Sequence, residues 1–94
     1  MTNITRKAQN IIKTFSDREG VAVDYLVKCY TNSVTAMAKS QRRQKDGFIP
    51  AEEHLKNYAV HSNKQTLIEQ TLHAFNLYIW FEPKTLEVTI DVLK

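Results

Sequence analysis

The apolar period of this chain changes once, from 3.6 to 2, and the change falls at Leu77. Beyond it, Leu77, Ile79 and Phe81 alternate with Tyr78 and Trp80; after Glu82-Pro83-Lys84-Thr85, the residues Leu86, Val88, Ile90 and Val92 alternate with Glu87, Thr89 and Asp91. Two short alternating runs around a turn make an antiparallel β-hairpin with one face for the core. Pro83 suits a type I turn within a four-residue loop, because the tight primed turns need positive φ. Two strands alone are marginal and leave two open edges, so a third strand is expected, from Gly47 to Pro50 or from another copy of the chain.

Ahead of Leu77 the spacing is helical. Ile4, Ala8, Ile11, Ile12 and Phe15 form the apolar side of a short first helix. Ser16-Asp17-Arg18-Glu19 is a capping-box pattern that opens a second, with the stripe Val23, Leu26, Val27, Tyr30, Val34, Met37 and Ala38. After Ala38 no large apolar residue follows until Phe48. From Asp17 to Gln44 this helix measures about 42 Å at 1.5 Å per residue, against a diameter of roughly 32 Å for a globule of this size. Either it breaks near Thr31-Asn32-Ser33 or its end overhangs. Asp46-Gly47 stops it, and Pro50 starts the next helix with Glu52 and Glu53 in the first turn. Leu55, Tyr58, Ala59 and Ser62 give that helix its apolar face. Ser62-Asn63-Lys64-Gln65 is a second capping-box pattern, opening a helix with the face Leu67, Ile68, Leu72 and Phe75. The expected fold is α+β and mostly helical: three to four helices, the second long, and a C-terminal antiparallel hairpin.

Residues 1–94 are enough for one small domain and one core. The single cysteine, Cys29, has no partner for an internal disulfide and reads as a buried inert thiol in a reducing compartment. The opening MTNITRKAQN has no apolar run after its cations, and FNLYIWF is too short to span a bilayer. These features point to a cytoplasmic protein without membrane contact.

Net charge is +3, and its distribution says more than its size. Residues 1–45 hold nine cations and three acids, +6; residues 46–94 hold four cations and seven acids, −3. Four cations without an acid, Lys39, Arg42, Arg43 and Lys45, crowd the end of the second helix. The helix dipole favours cations in a last turn by some tenths of a kcal/mol each, which one or two would satisfy. The excess favours an acidic partner, either a nucleic acid or the acidic half of a second copy.

Signatures of chemistry are missing. There is no G-x-S-x-G, no glycine-rich phosphate loop, and only two glycines to build one. His54, His61 and His73 lack the i, i+4 spacing that lets two imidazoles share a metal, and His54 and His61 stand two turns apart. No catalytic, cofactor or metal residues are assigned. Residues 51–92 admit a winged-helix reading, two short helices and a hairpin, but the helix that would enter the groove has only Lys64 as a cation.

The leading expectation is a non-catalytic binding or regulatory protein, in the manner of a small inhibitor or adaptor, and a homo-oligomer. Its partner sites are Lys39, Arg42, Arg43 and Lys45 on the basic helix end, and Tyr78 and Trp80 on the outer sheet face, since aromatics on the polar side of a sheet are enriched at interfaces. The alternative is nucleic-acid binding through the basic half, with Arg6, Lys7 and Lys13 joining Lys39, Arg42, Arg43 and Lys45 in one groove along a phosphate backbone.

Overall fold

The computed structural model describes residues 2–93. In chain order it comprises β1 (Thr2–Ile4), α1 (Arg6–Ile12), α2 (Asp17–Lys45), α3 (Ala51–His73), β2 (Leu77–Phe81) and β3 (Val88–Val92). The α+β expectation holds, with three helices and a small mixed sheet.

The hairpin forms, with β2 and β3 antiparallel, Ile79 opposite Ile90 and Leu77 opposite Val92 on the core face, and Tyr78 opposite Asp91 and Trp80 opposite Thr89 on the outer face; Leu86, expected in the second strand, instead lies in the loop before β3 with a positive φ. The third strand, however, is neither Gly47–Pro50 nor a second copy. β1 pairs parallel to β3, Ile4 beside Ile90, so the sheet order is β1-β3-β2. Ile4 therefore belongs to a strand and not to the first helix. Thr5 makes the join: its N–H donates to the Ile90 carbonyl, its hydroxyl donates to Asp91 Oδ1 at 2.9 Å and accepts from the Ala8 N–H as the N-cap of α1. Three strand residues are too few to show a period of 2, which is why the sequence hides them.

The second helix does not break. Ser16 and Glu19 form the expected capping box, and the hydroxyls of Thr31 and Thr35 bond carbonyls four residues back, so both polar groups are satisfied within α2. Nor does a break occur at Ser62. Ala51–His73 is one helix, and with no turn near His61 to Lys64 the helix-turn-helix on which the winged-helix reading depended is not formed. Ser33 explains why: its hydroxyl donates to the His61 carbonyl and accepts from the Gln65 amide, so bonds to α2 span the expected break.

Pairs that join α2 to α3 run in opposite senses, Tyr30 with Glu69, Ser33 with His61 and Ser40 with His54. The two are an antiparallel helical hairpin that outruns the sheet, and the molecule measures 47 × 22 × 21 Å with a radius of gyration of 14.8 Å, against ~12 Å for a compact chain of this length. The apolar core sits at the base, where Ala8, Val23, Tyr30, Leu72, Ile79 and Ile90 are fully covered. Burial of one such Leu, Ile or Val contributes about 1.5–3 kcal/mol. Fully buried apolar positions on α2 end at Val34, and those on α3 begin at Ile68. No helix among the described residues is long and apolar enough to cross a membrane.

Candidate functional site

From Ser33 on α2 and before Ile68 on α3, the hairpin's other buried residues besides Val34 are polar: Ser33, Ser40 and Gln65. Ser40 Oγ lies 2.9 Å from His54 Nδ1 and accepts from the Asn57 amide at 3.1 Å; Ser33 Oγ lies 3.1 Å from His61 Nδ1. Two polar layers thus zip the outer half of the two helices, and no buried side-chain polar atom among the described residues lacks a partner.

Serine beside histidine invites a nucleophile–base reading. The geometry denies it: both hydroxyls are buried between helices, and Asn57 and Gln65 bond the serines while no carboxylate among the described residues orients either ring. The described residues also include no cluster of three or more His, Cys, Asp or Glu side chains able to hold a metal.

This polar seam displaces the apolar face expected for α3. Leu55 is 65 % exposed, and Tyr58 and Ala59 also face solvent. Tyr58 and His54 instead form one wall of a groove whose other walls are Met37 of α2, Phe81 of β2 and Leu86 of the loop between β2 and β3. Leu86 holds φ at +62°, a left-handed conformation that costs a branched residue roughly 1 kcal/mol.

At the tip, Lys39, Arg42 and Arg43 line one open cleft of about 380 Å³ together with Asp46 and Phe48, which is 74 % exposed. Lys45 lies outside that cleft. Among the described residues none of the four cations has a carboxylate within 4 Å, although Glu53 shares a second cleft with Lys39 and Arg43. The antiparallel fold thus brings an acid from the second half of the chain beside the basic end. The other three cations of the expected groove, Arg6, Lys7 and Lys13, stand on or just after α1 at the opposite end of α2. A helix of 29 residues, about 43 Å long, separates them, so the seven do not form one groove.

The outer face of the sheet is open, as Tyr78 and Trp80 are both partly exposed. Their rings lie 5.1 Å apart, and His73, at the end of α3, stacks on Tyr78 at 6.1 Å and 20°. His73 extends this aromatic row, and sequence reading missed it because the contact joins a helix end to a strand. Phe48 was legible only as an apolar residue near a turn. No protein family, curated protein or solved structure matches the chain.

Proposed function

We propose that the protein is a non-catalytic binding or regulatory protein that docks on a macromolecular partner through the basic tip of its helical hairpin and the aromatic face of its sheet. The observation that carries this reading is the tip itself: Lys39, Arg42 and Arg43 share one cleft with Asp46 and the exposed Phe48, with no ion pair to these cations among the described residues, where the helices have no apolar core left to cover. Arg beside an exposed aromatic is the composition of interface hot spots. The row His73, Tyr78 and Trp80 supplies a second apolar surface.

Nucleic acid is the second reading, favoured by the same ring, because a base stacks on an aromatic while neighbouring cations take phosphates. It uses the tip alone, since Arg6, Lys7 and Lys13 lie too far away to join it.

Affinity capture from an extract of the source cells tests both. The bait is the intact chain, compared with Arg42→Glu/Arg43→Glu and with Tyr78→Ala/Trp80→Ala, each with and without nuclease. A protein retained by the intact chain, insensitive to nuclease and lost by either pair supports docking. Loss on nuclease treatment moves the assignment to nucleic acid, whose binding should then weaken steeply with salt. Capture that neither pair alters overturns both readings.

A further inference from the structure

Lys39 and Arg43 share a cleft with Glu53 of α3, which defines one side of the helical hairpin. Steps of seven residues, two helical turns, stay on that side. On α2 they lead from Lys39 to Asn32 and Tyr25; on α3 they lead from Glu53 to Val60 and Leu67. All six are exposed, Tyr25, Val60 and Leu67 by more than three-fifths. This side of the hairpin, which meets β1 only where Asn32 borders a cleft with Thr2, therefore has its own regular stripe on each helix.

These stripes are complementary to themselves. Tyr25 and Lys39 stand seven residues either side of Asn32, and Val21 and Arg43 eleven either side. Asp17 and Asp24 mark the acidic end of α2, whereas Lys39, Arg42 and Arg43 mark its basic end. Turned end for end about Asn32, one α2 sets Tyr25 under the Lys39 ammonium of another, a cation–π contact, and places Asp24 between Lys39 and Arg42. On α3, Val60 and Leu67 exchange places about a point between Asn63 and Lys64. The two centres coincide in height, because Ser33, next to Asn32, bonds to His61 and Gln65 on either side of that point. One two-fold axis across the hairpin therefore pairs α2 with α2 and α3 with α3.

We infer that this side of the hairpin docks on a second copy of the chain, giving a two-fold dimer of four antiparallel helices in which the acidic start of α2 faces its basic end. The inference rests on the docking reading and names the occupant of Lys39 and Arg43. It leaves Phe48 and the aromatic sheet face outside the interface. Two helix stripes along one side of a molecule 47 Å long give an extended surface to set against the roughly 800 Å² per partner of a standard interface. A closed isologous pair follows from the single axis.

Sedimentation equilibrium on the full chain up to about 500 µM tests this, a range that covers any specific dimer tighter than a millimolar constant. The expected species is a dimer that weakens with salt. Val60→Asp with Leu67→Asp, both exposed in the protomer and so harmless to its core, should raise the dissociation constant by a hundredfold or more, roughly. Asp24→Lys and Arg42→Glu should each raise it about tenfold, and together return it to within about threefold of the original, because the pair is merely exchanged. A chain monomeric at the highest concentration overturns the dimer. So does a dimer indifferent to Val60 and Leu67, or a charge exchange that fails to restore it. If the monomeric chain still captures a partner through Arg42 and Arg43, the docking reading survives; if the dimer forms but nothing else is captured, the dimer stands and that reading falls.

Discussion

Ser40 Oγ on α2 lies 2.9 Å from His54 Nδ1 on α3, and seven residues away on each helix Ser33 repeats the contact with His61 at 3.1 Å. Two serine–histidine layers replace apolar packing over the outer half of the hairpin. With Asn57 donating into it, the Ser40 hydroxyl has its own proton free for Nδ1. A seam of this kind specifies which layers face one another more than it stabilises them.

Ser40→Ala alone should cost about 1–3 kcal/mol, because it leaves the half-covered imidazole and the Asn57 amide without their shared partner. Ser40→Ala with His54→Leu and Asn57→Leu should be close to neutral or stabilising, since an apolar layer then replaces every member of the polar one. Urea denaturation of the two variants measures the difference.

Leu55 and Leu72 sit on the same helix in opposite surroundings. Leu72 is fully buried, and Leu72→Ala should cost about 2–5 kcal/mol. Leu55→Ala should stay within about 0.5 kcal/mol of the parent. Equal losses would show that Leu55 packs against α2 and that the polar seam is misplaced.

Backbone geometry separates three further sites. Gly47 holds φ at +85° at the end of α2, so Gly47→Ala should destabilise by about 1 kcal/mol. Gly20 lies inside α2 with nothing within 4 Å of an added methyl, so Gly20→Ala should stabilise by about 0.5–1 kcal/mol. At Leu86, where φ is +62°, Gly should be better tolerated than Ala by about 1 kcal/mol, although both lose the side chain. Thermal unfolding of the four variants checks all three signs.

Burial first, and the Glu69 carboxylate second, push the Tyr30 phenol far above its ordinary value. A proton held more tightly in the fold than in the unfolded chain stabilises fully below the unfolded value, near 10, and that contribution is lost as pH rises beyond it. Stability should therefore fall above about pH 10, and Tyr30→Phe should reduce the fall. Absorbance titration should show one phenol, absent from the Tyr30→Phe variant, that ionises only on unfolding. A Tyr30→Phe variant whose phenol titration and alkaline stability match the parent's would contradict it.

Much of the base was legible locally. The alternation from Leu77 to Val92 specified the hairpin and its core face, and Ser16 with Glu19 marked the start of α2. The two patterns most informative about the outer half were also in view, Ser33 with Ser40 and His54 with His61, each seven residues apart. The histidine spacing bears on metal ligation alone and the serine spacing carries no signal, because apolar periodicity is blind to a seam made of hydroxyls and imidazoles. For the same reason Leu55 and Tyr58 looked like core.

By itself the sequence determined what depends on neighbours along the chain: the helical and extended periods, the capping box, the stop at Asp46-Gly47, and the crowding of Lys39, Arg42, Arg43 and Lys45. Only the tertiary structure decided the rest. It made Thr2–Ile4 a strand beside β3, kept Ala51–His73 unbroken, separated Arg6, Lys7 and Lys13 from the tip, and set Glu53 beside Lys39 and Arg43. The physical reason is that a backbone group or polar side chain takes the partner that satisfies it, whatever its distance in sequence. The Thr5 N–H finds Ile90 and the Ser40 hydroxyl finds His54 and Asn57. Such bonds leave no period in the sequence until both ends are known.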